Sequence, residues 1–317
     1  MSVFTPVSQG ELQGFLDGFE LGRLIDYSGI VGGTENSNFF VATEQGEYVL
    51  TLIERGPVAD LPFLVSLLKR LQQAGLPVPY AIADRQGQTL HQLNQRPALL
   101  QPRLPGRHVE HADASHCHAL GQMLARLHGA TADGDMQRRS DRGLAWMTVE
   151  TQALLERSDA ADRSLLSSML PILERLQRLR PALPEAMLHG DLFRDNVLFD
   201  GHHLSGIIDF YNAFSGWALY DLAICANDWC LAKEGGLDQQ RTEALLAGYA
   251  SLRRFTPLEA ENWPDLLRVA ALRFWLSRQL AAQQHAEQAE VLIKNPAHFR
   301  QLLESHREVT VKLPLAL

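Results

Sequence analysis

The run Leu188-His189-Gly190-Asp191-Leu192-Phe193-Arg194-Asp195-Asn196-Val197-Leu198-Phe199, followed by Gly206-Ile207-Ile208-Asp209-Phe210, sets acidic and amide groups between short apolar pieces. Residues 197–199 and 206–208 should pair as a hairpin across Asp200-Gly201. That pairing puts Asn196 and Asp209 at one end of the ribbon and Asp191 on the loop before it. An oxygen-only donor set of this kind suits a hard cation such as Mg²⁺, which takes one or two carboxylates, an amide oxygen, waters and substrate phosphates. Asn196 and Asp209 are the candidate metal ligands. Asp191 is then free to act as a base or to orient a hydroxyl. A surface turn can use Asp and Asn as caps, but caps do not require two Asp and one Asn on both sides of a hairpin. His189 is expected to hold backbone groups rather than to react.

The elements that must position these residues fall into two regions. In the first hundred residues Ser8 and Glu11 read as a capping box ahead of Leu12, Phe15, Leu16 and Phe19, one face of a short helix. Strands are expected at 24–27, 39–43, 48–53, 89–93 and 98–101, with turns at 32–38 and 44–47. Asp60 and Pro62 open a helix whose buried stripe is Leu64, Leu67, Leu68 and Leu71, ended by Gly75. The Pro/Gly-punctuated stretch 101–106 reads as a hinge. Beyond it the chain is mainly helical, with one helix marked by Leu165, Met169, Leu173, Leu176 and Leu179, a compact β segment at 187–210, and four helices between Tyr220 and about Glu308, two of them at 220–233 and 263–288. The expected division is 1–100, a hinge at 101–106, and 107–317.

Composition excludes several classes. The chain has 317 residues, 46% hydrophobic and 21% charged, with a net charge of −8. That is ordinary for a globular protein with a sizeable core. The acidic balance disfavours nucleic acid and anionic membrane as partners. Apolar runs are too short for a membrane span, and the N-terminus lacks the pattern of a signal peptide, so a cytoplasmic protein with a small-molecule substrate is expected. Cys117, Cys225 and Cys230 are expected as buried thiols. His108, His111, His116 and His118 lie close together with Glu110 and Cys117, yet lack metal-ligand spacing and read as a loop and helix start. His128 reads as a satisfied helix histidine, Trp229 and Trp275 as core, and Arg138-Arg139 as part of an exposed helix face.

His189-x-Asp191 with Asn196 has the H-x-D-x-x-x-x-N spacing of protein-kinase catalytic loops, and Asp209 follows thirteen residues after Asn196. On these residues the chain resembles the aminoglycoside phosphotransferase and choline kinase superfamily, small-molecule kinases with a protein-kinase-like fold. His189-Gly-Asp191-Leu-Phe-Arg-Asp-Asn196 and Ile208-Asp209-Phe210 are similar to its two signature motifs. A softer similarity points to its homoserine-specific branch. It is carried by Gly33-Thr-Glu-Asn36-Ser-Asn38, Tyr48-Val-Leu-Thr-Leu52, Asp60-Leu-Pro-Phe63 and Tyr220-Asp-Leu-Ala-Ile-Cys-Ala-Asn-Asp228.

The resemblance implies an α+β, two-lobed fold with a small antiparallel-sheet N-lobe, a mainly helical C-lobe, and MgATP between them. It implies that Gly32, Gly33, Asn36, Ser37 and Asn38 cover the phosphates through backbone N–H groups. Gln101, Arg103 and Leu104 would hydrogen-bond adenine through their backbone. Asp191 would accept or orient the substrate hydroxyl proton. A zwitterionic amino acid would need an acid for its ammonium, for which Asp228 is the candidate, and cations for its carboxylate, for which Arg273 and Arg278 are candidates. Choline, an aminoglycoside or another amino alcohol are the alternative acceptors. One departure stands out. Protein kinases carry a lysine on the third strand, and Thr51 occupies that position here, with only four lysines in the chain and none before Lys69. Arg55 and Arg103 are candidate replacements, and the vacancy also motivates a regulatory pseudokinase as an alternative. A two-metal phosphoesterase would need further histidine ligands in loops after Phe210.

Overall fold

The computed structural model describes residues 3–30, 36–179, 182–284 and 295–315. The chain divides into two compact units, 1–106 with 205–208, and 107–204 with 209–317.

The first unit begins with helix α1 (Gln9–Leu16), started by the expected capping box: Glu11 N–H donates to Ser8 Oγ (3.3 Å) and Ser8 N–H to Glu11 Oε2 (2.7 Å). Strands β1 (Leu24–Gly29), β2 (Ser37–Thr43), β3 (Gly46–Leu52), β4 (His91–Leu93) and β5 (Arg96–Pro102) form one antiparallel sheet in the order β1-β2-β3-β5-β4. Burial alternates strictly along β2, so Phe39 and Val41 join Leu50, Leu52, Leu100, Leu12 and Leu16 in one core. Each fully buried side chain of this size contributes about 1.5–3 kcal/mol. Helix α2 (Leu61–Gln73) buries the expected Leu64, Leu67, Leu68 and Leu71. Asp60 stands at its N-cap without a side-chain cap bond, because Val58–Asp60 is itself a turn of 3-10 helix.

The second unit carries helices α3 (Ala114–Gly129), α4 (Leu144–Leu155), α5 (Ala160–Gln177), α6 (Ala218–Trp229), α7 (Gln239–Ala250), α8 (Pro257–Gln284) and α9 (Ala297–Ser305). Strand β6 (Glu185–Leu188) pairs antiparallel with β9 (Phe214–Trp217), Leu188 opposite Phe214. Strands β7 (Val197–Asp200) and β8 (His203–Ile207) form the expected hairpin. Helices α3 and α7 meet through glycine. A Cβ on Gly121 would lie 2.1 Å from Leu245 O, and one on Gly248 would lie 2.1 Å from His118 O. Every residue of α6 except Asp228 is buried.

Several expectations are corrected. The turn expected through residue 38 ends earlier: Ser37 and Asn38 belong to β2, because Ser37 Oγ accepts N–H bonds from Phe4 (2.8 Å) and Thr5 (3.0 Å) and ties the N-terminal segment to the strand. Helix α4 and strand β9 were not expected. The helix expected from Tyr220 to Lys233 stops at Trp229, where an isolated bridge between Leu231 and Leu237 closes a loop around Gly235 and Gly236. The helix expected from Trp263 begins at Pro257, because Thr256 and Glu259 cap it reciprocally (2.9 and 3.2 Å); its expected end at Gln288 lies outside the described residues. Arg138 is not on a helix face; its Nη1 donates to Tyr211 O (2.8 Å) and Ala213 O (2.9 Å). The three cysteines are buried and free, as expected. No helix among the described residues is long and apolar enough to cross a membrane.

Candidate active site

Strand β6 delivers the chain into the loop His189-Gly190-Asp191. Gly190 has φ of 76°, and a Cβ there would lie 2.8 Å from the Phe214 ring and 3.0 Å from Asn212 O. Only glycine fits both the backbone and the space. His189 is buried against the Phe210 ring, and its Nδ1 accepts the Asp191 N–H (3.3 Å). Nδ1 is therefore the acceptor nitrogen, and the histidine holds backbone as expected.

The loop is pinned from below by α6. Asp221 Oδ2 accepts the His189 N–H (2.8 Å) and Oδ1 accepts the Gly190 N–H (2.9 Å). A carboxylate only accepts, so His128 Nε2 donates to Asp221 (3.2 Å), and Tyr249 Oη donates to His128 Nδ1 (2.8 Å). Burial pushes the Asp221 pKa up, but the hydrogen bonds from His128 and the Gly190 N–H outweigh it and hold the carboxyl below its usual range. Further along, Leu192 O accepts from Trp229 Nε1 (3.0 Å), and Asp228 takes the Arg194 backbone N–H (2.8 Å) and guanidinium (3.1 Å). The loop backbone thus rests on three side chains of one buried helix.

Asn196 Nδ2 donates to Asp191 O (2.8 Å). This bond spends the amide nitrogen inside the loop, so Oδ1 is the side-chain atom a cation could take. Asp209 follows β8 in the left-handed region (φ 65°, ψ 63°), a conformation that Asp tolerates and bulkier residues do not. An amide oxygen and a carboxylate flanking one hairpin are hard donors that fit a Mg²⁺ ion.

The remaining expected residues are placed as follows. Gly32 and Gly33 lie outside the described residues. The Asn36 side chain accepts the Glu54 N–H (3.2 Å), Ser37 Oγ donates to Glu54 Oε1 (2.6 Å), and Asn38 Oδ1 accepts the Thr51 hydroxyl (2.7 Å). These side chains brace the first unit. Thr51, at the lysine position, is buried in that bond. Arg55 lies over the Phe4 ring (5.8 Å), and Arg103 stacks on Phe40 (4.1 Å) while pairing with Glu47 (3.2 Å). Gln101 is buried and donates to Pro79 O, while Leu104 is half-buried. On α8, Arg278 is half-buried over the Phe299 ring (4.3 Å), within electrostatic reach of Asp228, Asp191 and Asp195. Arg273 is buried, and Asp191 and Tyr220 lie in its field. The histidine-rich stretch is a loop and helix start, as expected: Asp113 caps α3, and His116 and His202 both meet it, at 2.8 and 3.0 Å.

Residues 26–255 match the family model described as "Phosphotransferase enzyme family". The chain belongs to that phosphotransferase family. It is 55% identical over 317 residues to a homoserine kinase of Pseudomonas aeruginosa, covering 100% of both chains. It is 40% identical over 306 residues to a homoserine kinase of Methylobacillus flagellatus, covering 96% of this chain and 95% of that one. Its fold is shared with an amicoumacin kinase solved in complex with AMP-PNP, Ca²⁺ and Ami, at a TM-score of 0.68 and 15% identity, covering 95% of this chain and 92% of that one. The phosphotransferase is therefore an α+β enzyme of the kinase-like fold, with the antiparallel sheet in its N-terminal part and helices in its C-terminal part.

Sequence reading missed Asp221, which holds the loop of this phosphotransferase. The signal was available: one carboxylate inside Ala218-Leu-Tyr-Asp-Leu-Ala-Ile-Cys-Ala226, a helix apolar all round, must be buried and therefore partnered.

Proposed function

We propose that this phosphotransferase moves the terminal phosphoryl group of ATP to the side-chain hydroxyl of L-homoserine, giving O-phospho-L-homoserine, as a cytoplasmic enzyme of amino-acid biosynthesis. The observation that carries the reading is the 55% identity to a homoserine kinase along the whole length of both chains. The loop geometry supports the chemistry. Asp191 accepts or orients the hydroxyl proton on a backbone fixed by Asp221. Phosphoryl transfer needs little covalent help from the protein, so positioning dominates its rate. Asn196 Oδ1 and Asp209 would hold Mg²⁺, which when bound neutralises phosphate charge. In the first unit, backbone N–H groups near Asn36, Ser37 and Asn38 cover the phosphates, and the backbone at Gln101, Arg103 and Leu104 takes adenine. For the acceptor, Arg273 and Arg278 take the carboxylate. Asp228 Oδ1, which makes the longer 3.3 Å contact to Arg194, is the oxygen offered to the ammonium.

The test is ADP release, by a coupled assay, with L-homoserine, L-serine, L-threonine, choline and kanamycin. Turnover selective for L-homoserine and lost in Asp191→Asn is expected. Selective turnover of choline or kanamycin would overturn the substrate while keeping the reaction class.

A further inference from the structure

Among the described residues of the second unit, the buried side chains of Arg273 and Tyr220 stand out. Arg273 on α8 is 7% exposed. Among the described residues its guanidinium makes no hydrogen bond or ion pair; it lies over the ring of its neighbour Phe274 at 3.9 Å. A buried guanidinium presents five N–H donors, and leaving them without an acceptor is strongly unfavourable. Tyr220 on α6 is 9% exposed, and its hydroxyl is buried with no hydrogen-bond partner. A buried hydroxyl of this kind normally finds one.

The two groups lie within each other's electrostatic reach. Tyr220 lines a cavity of about 490 Å³ together with Arg142, Glu185, Phe214, Ser215, Leu266 and Val269. Val269 stands one helical turn before Arg273 on α8. The titratable groups within reach of Arg273 are Tyr220, Asp191 and Arg142. Burial pushes the Tyr220 pKa up to about 12, so the hydroxyl keeps its proton and donates. The missing partner of a donor hydroxyl, a buried cation and an exposed arginine at the rim is an anion with two acceptor oxygens.

We propose that the Tyr220 hydroxyl and the Arg273 guanidinium jointly bind the α-carboxylate of the amino-acid acceptor, with Arg142 at the cavity rim, and so select the acid over its uncharged analogues. This rests on the reading of L-homoserine as the acceptor. The site places the carboxylate within the field of the same arginine that feels Asp191, which orients the far hydroxyl toward that base. Tyr220 adds a neutral donor that an arginine pair alone would lack, and it discriminates by leaving buried donors unpaired when the carboxylate is absent.

The experiment compares kcat/KM for L-homoserine and for L-homoserine amide in the wild type, Tyr220→Phe and Arg273→Met, with melting temperatures alongside. Tyr220→Phe removes only an unpartnered hydroxyl, so its melting temperature should hold or rise. Its preference for acid over amide should fall about 10- to 100-fold, mostly through KM, as expected for a lost bond to a charged group. Arg273→Met should lower the preference further. An equal fall for acid and amide, or an unchanged preference in Tyr220→Phe, would overturn the carboxylate site while leaving L-homoserine as acceptor. Wild-type turnover confined to a carboxylate-free acceptor such as choline would overturn both readings. L-homoserine turnover with a collapsed preference in the variants supports both.

Discussion

Replacing Asp221 with Asn tests how the loop is held. The carboxylate is fully buried and accepts three bonds, from His189 N–H, Gly190 N–H and His128 Nε2. Asparagine keeps the shape and one acceptor oxygen but turns the other oxygen into an NH2 group, which faces a donor. At least one buried donor is then stranded, at about 1–3 kcal/mol, and the charge on the His128 bond is lost. Breaking a buried charged network by removing one partner costs about 3–5 kcal/mol, so an isosteric change should cost roughly 2–4. For a unit of about 200 residues each kcal/mol moves the melting temperature by about 2–4 °C, which predicts a fall of roughly 5–15 °C. The loop carrying Asp191 also loses its anchor, and an error of about 1 Å in a reacting group costs on the order of a hundredfold in rate. Thermal melts and steady-state kinetics read both numbers. A variant that melts within 2 °C of wild type and keeps kcat within threefold would refute the role assigned to Asp221.

Gly121→Ala should lower the melting temperature by several degrees, since its Cβ meets the Leu245 carbonyl at 2.1 Å and α3 must move off α7; a melt unchanged within a degree would contradict that packing. Asp209→Asn keeps a residue type that tolerates left-handed backbone, so the fold should survive while activity drops by at least a hundredfold; circular dichroism and turnover decide. His306 is buried with Asn227, and burial lowers its pKa to about 4. Its neutral form is favoured by folding, so the unfolded chain binds more protons between the two pKa values. The contribution is fully present above about pH 6.5 and is lost as pH falls toward 4, by about 2 kcal/mol between pH 7 and 5. Urea unfolding of the wild type and His306→Gln at both pH values should show a smaller loss in the variant.

The chemistry-bearing loop was legible because its signals are local. Spacing from His189 to Asn196, the Asp200-Gly201 turn and the apolar Ile207-Ile208 before Asp209 depend on residues close in sequence, and β7, β8 and the Asn196 bond follow. The periodic leucines of α2 and α5 were legible for the same reason. What escaped depends on distant partners. Strand β9, Phe214-Ser-Gly-Trp217, has no alternation to read and is a strand because β6 pairs with it. Arg138 looked like helix surface because nothing nearby in sequence announces the carbonyls of Tyr211 and Ala213. Helix α4 is apolar on more than one face, which blurs its period. The pairing of Asp228 with Arg194, thirty-four residues earlier, was not announced by anything near either residue in sequence. The unpartnered hydroxyl of Tyr220 was not legible, since it is visible only once its surroundings are folded.

Phosphorus NMR of the products from ATP, Mg²⁺ and L-homoserine tests the central claim most directly. The account predicts a new phosphomonoester signal that grows in step with ADP and is absent with Asp191→Asn. ADP formed with inorganic phosphate alone, or an equal ester signal from Asp191→Asn, would contradict it.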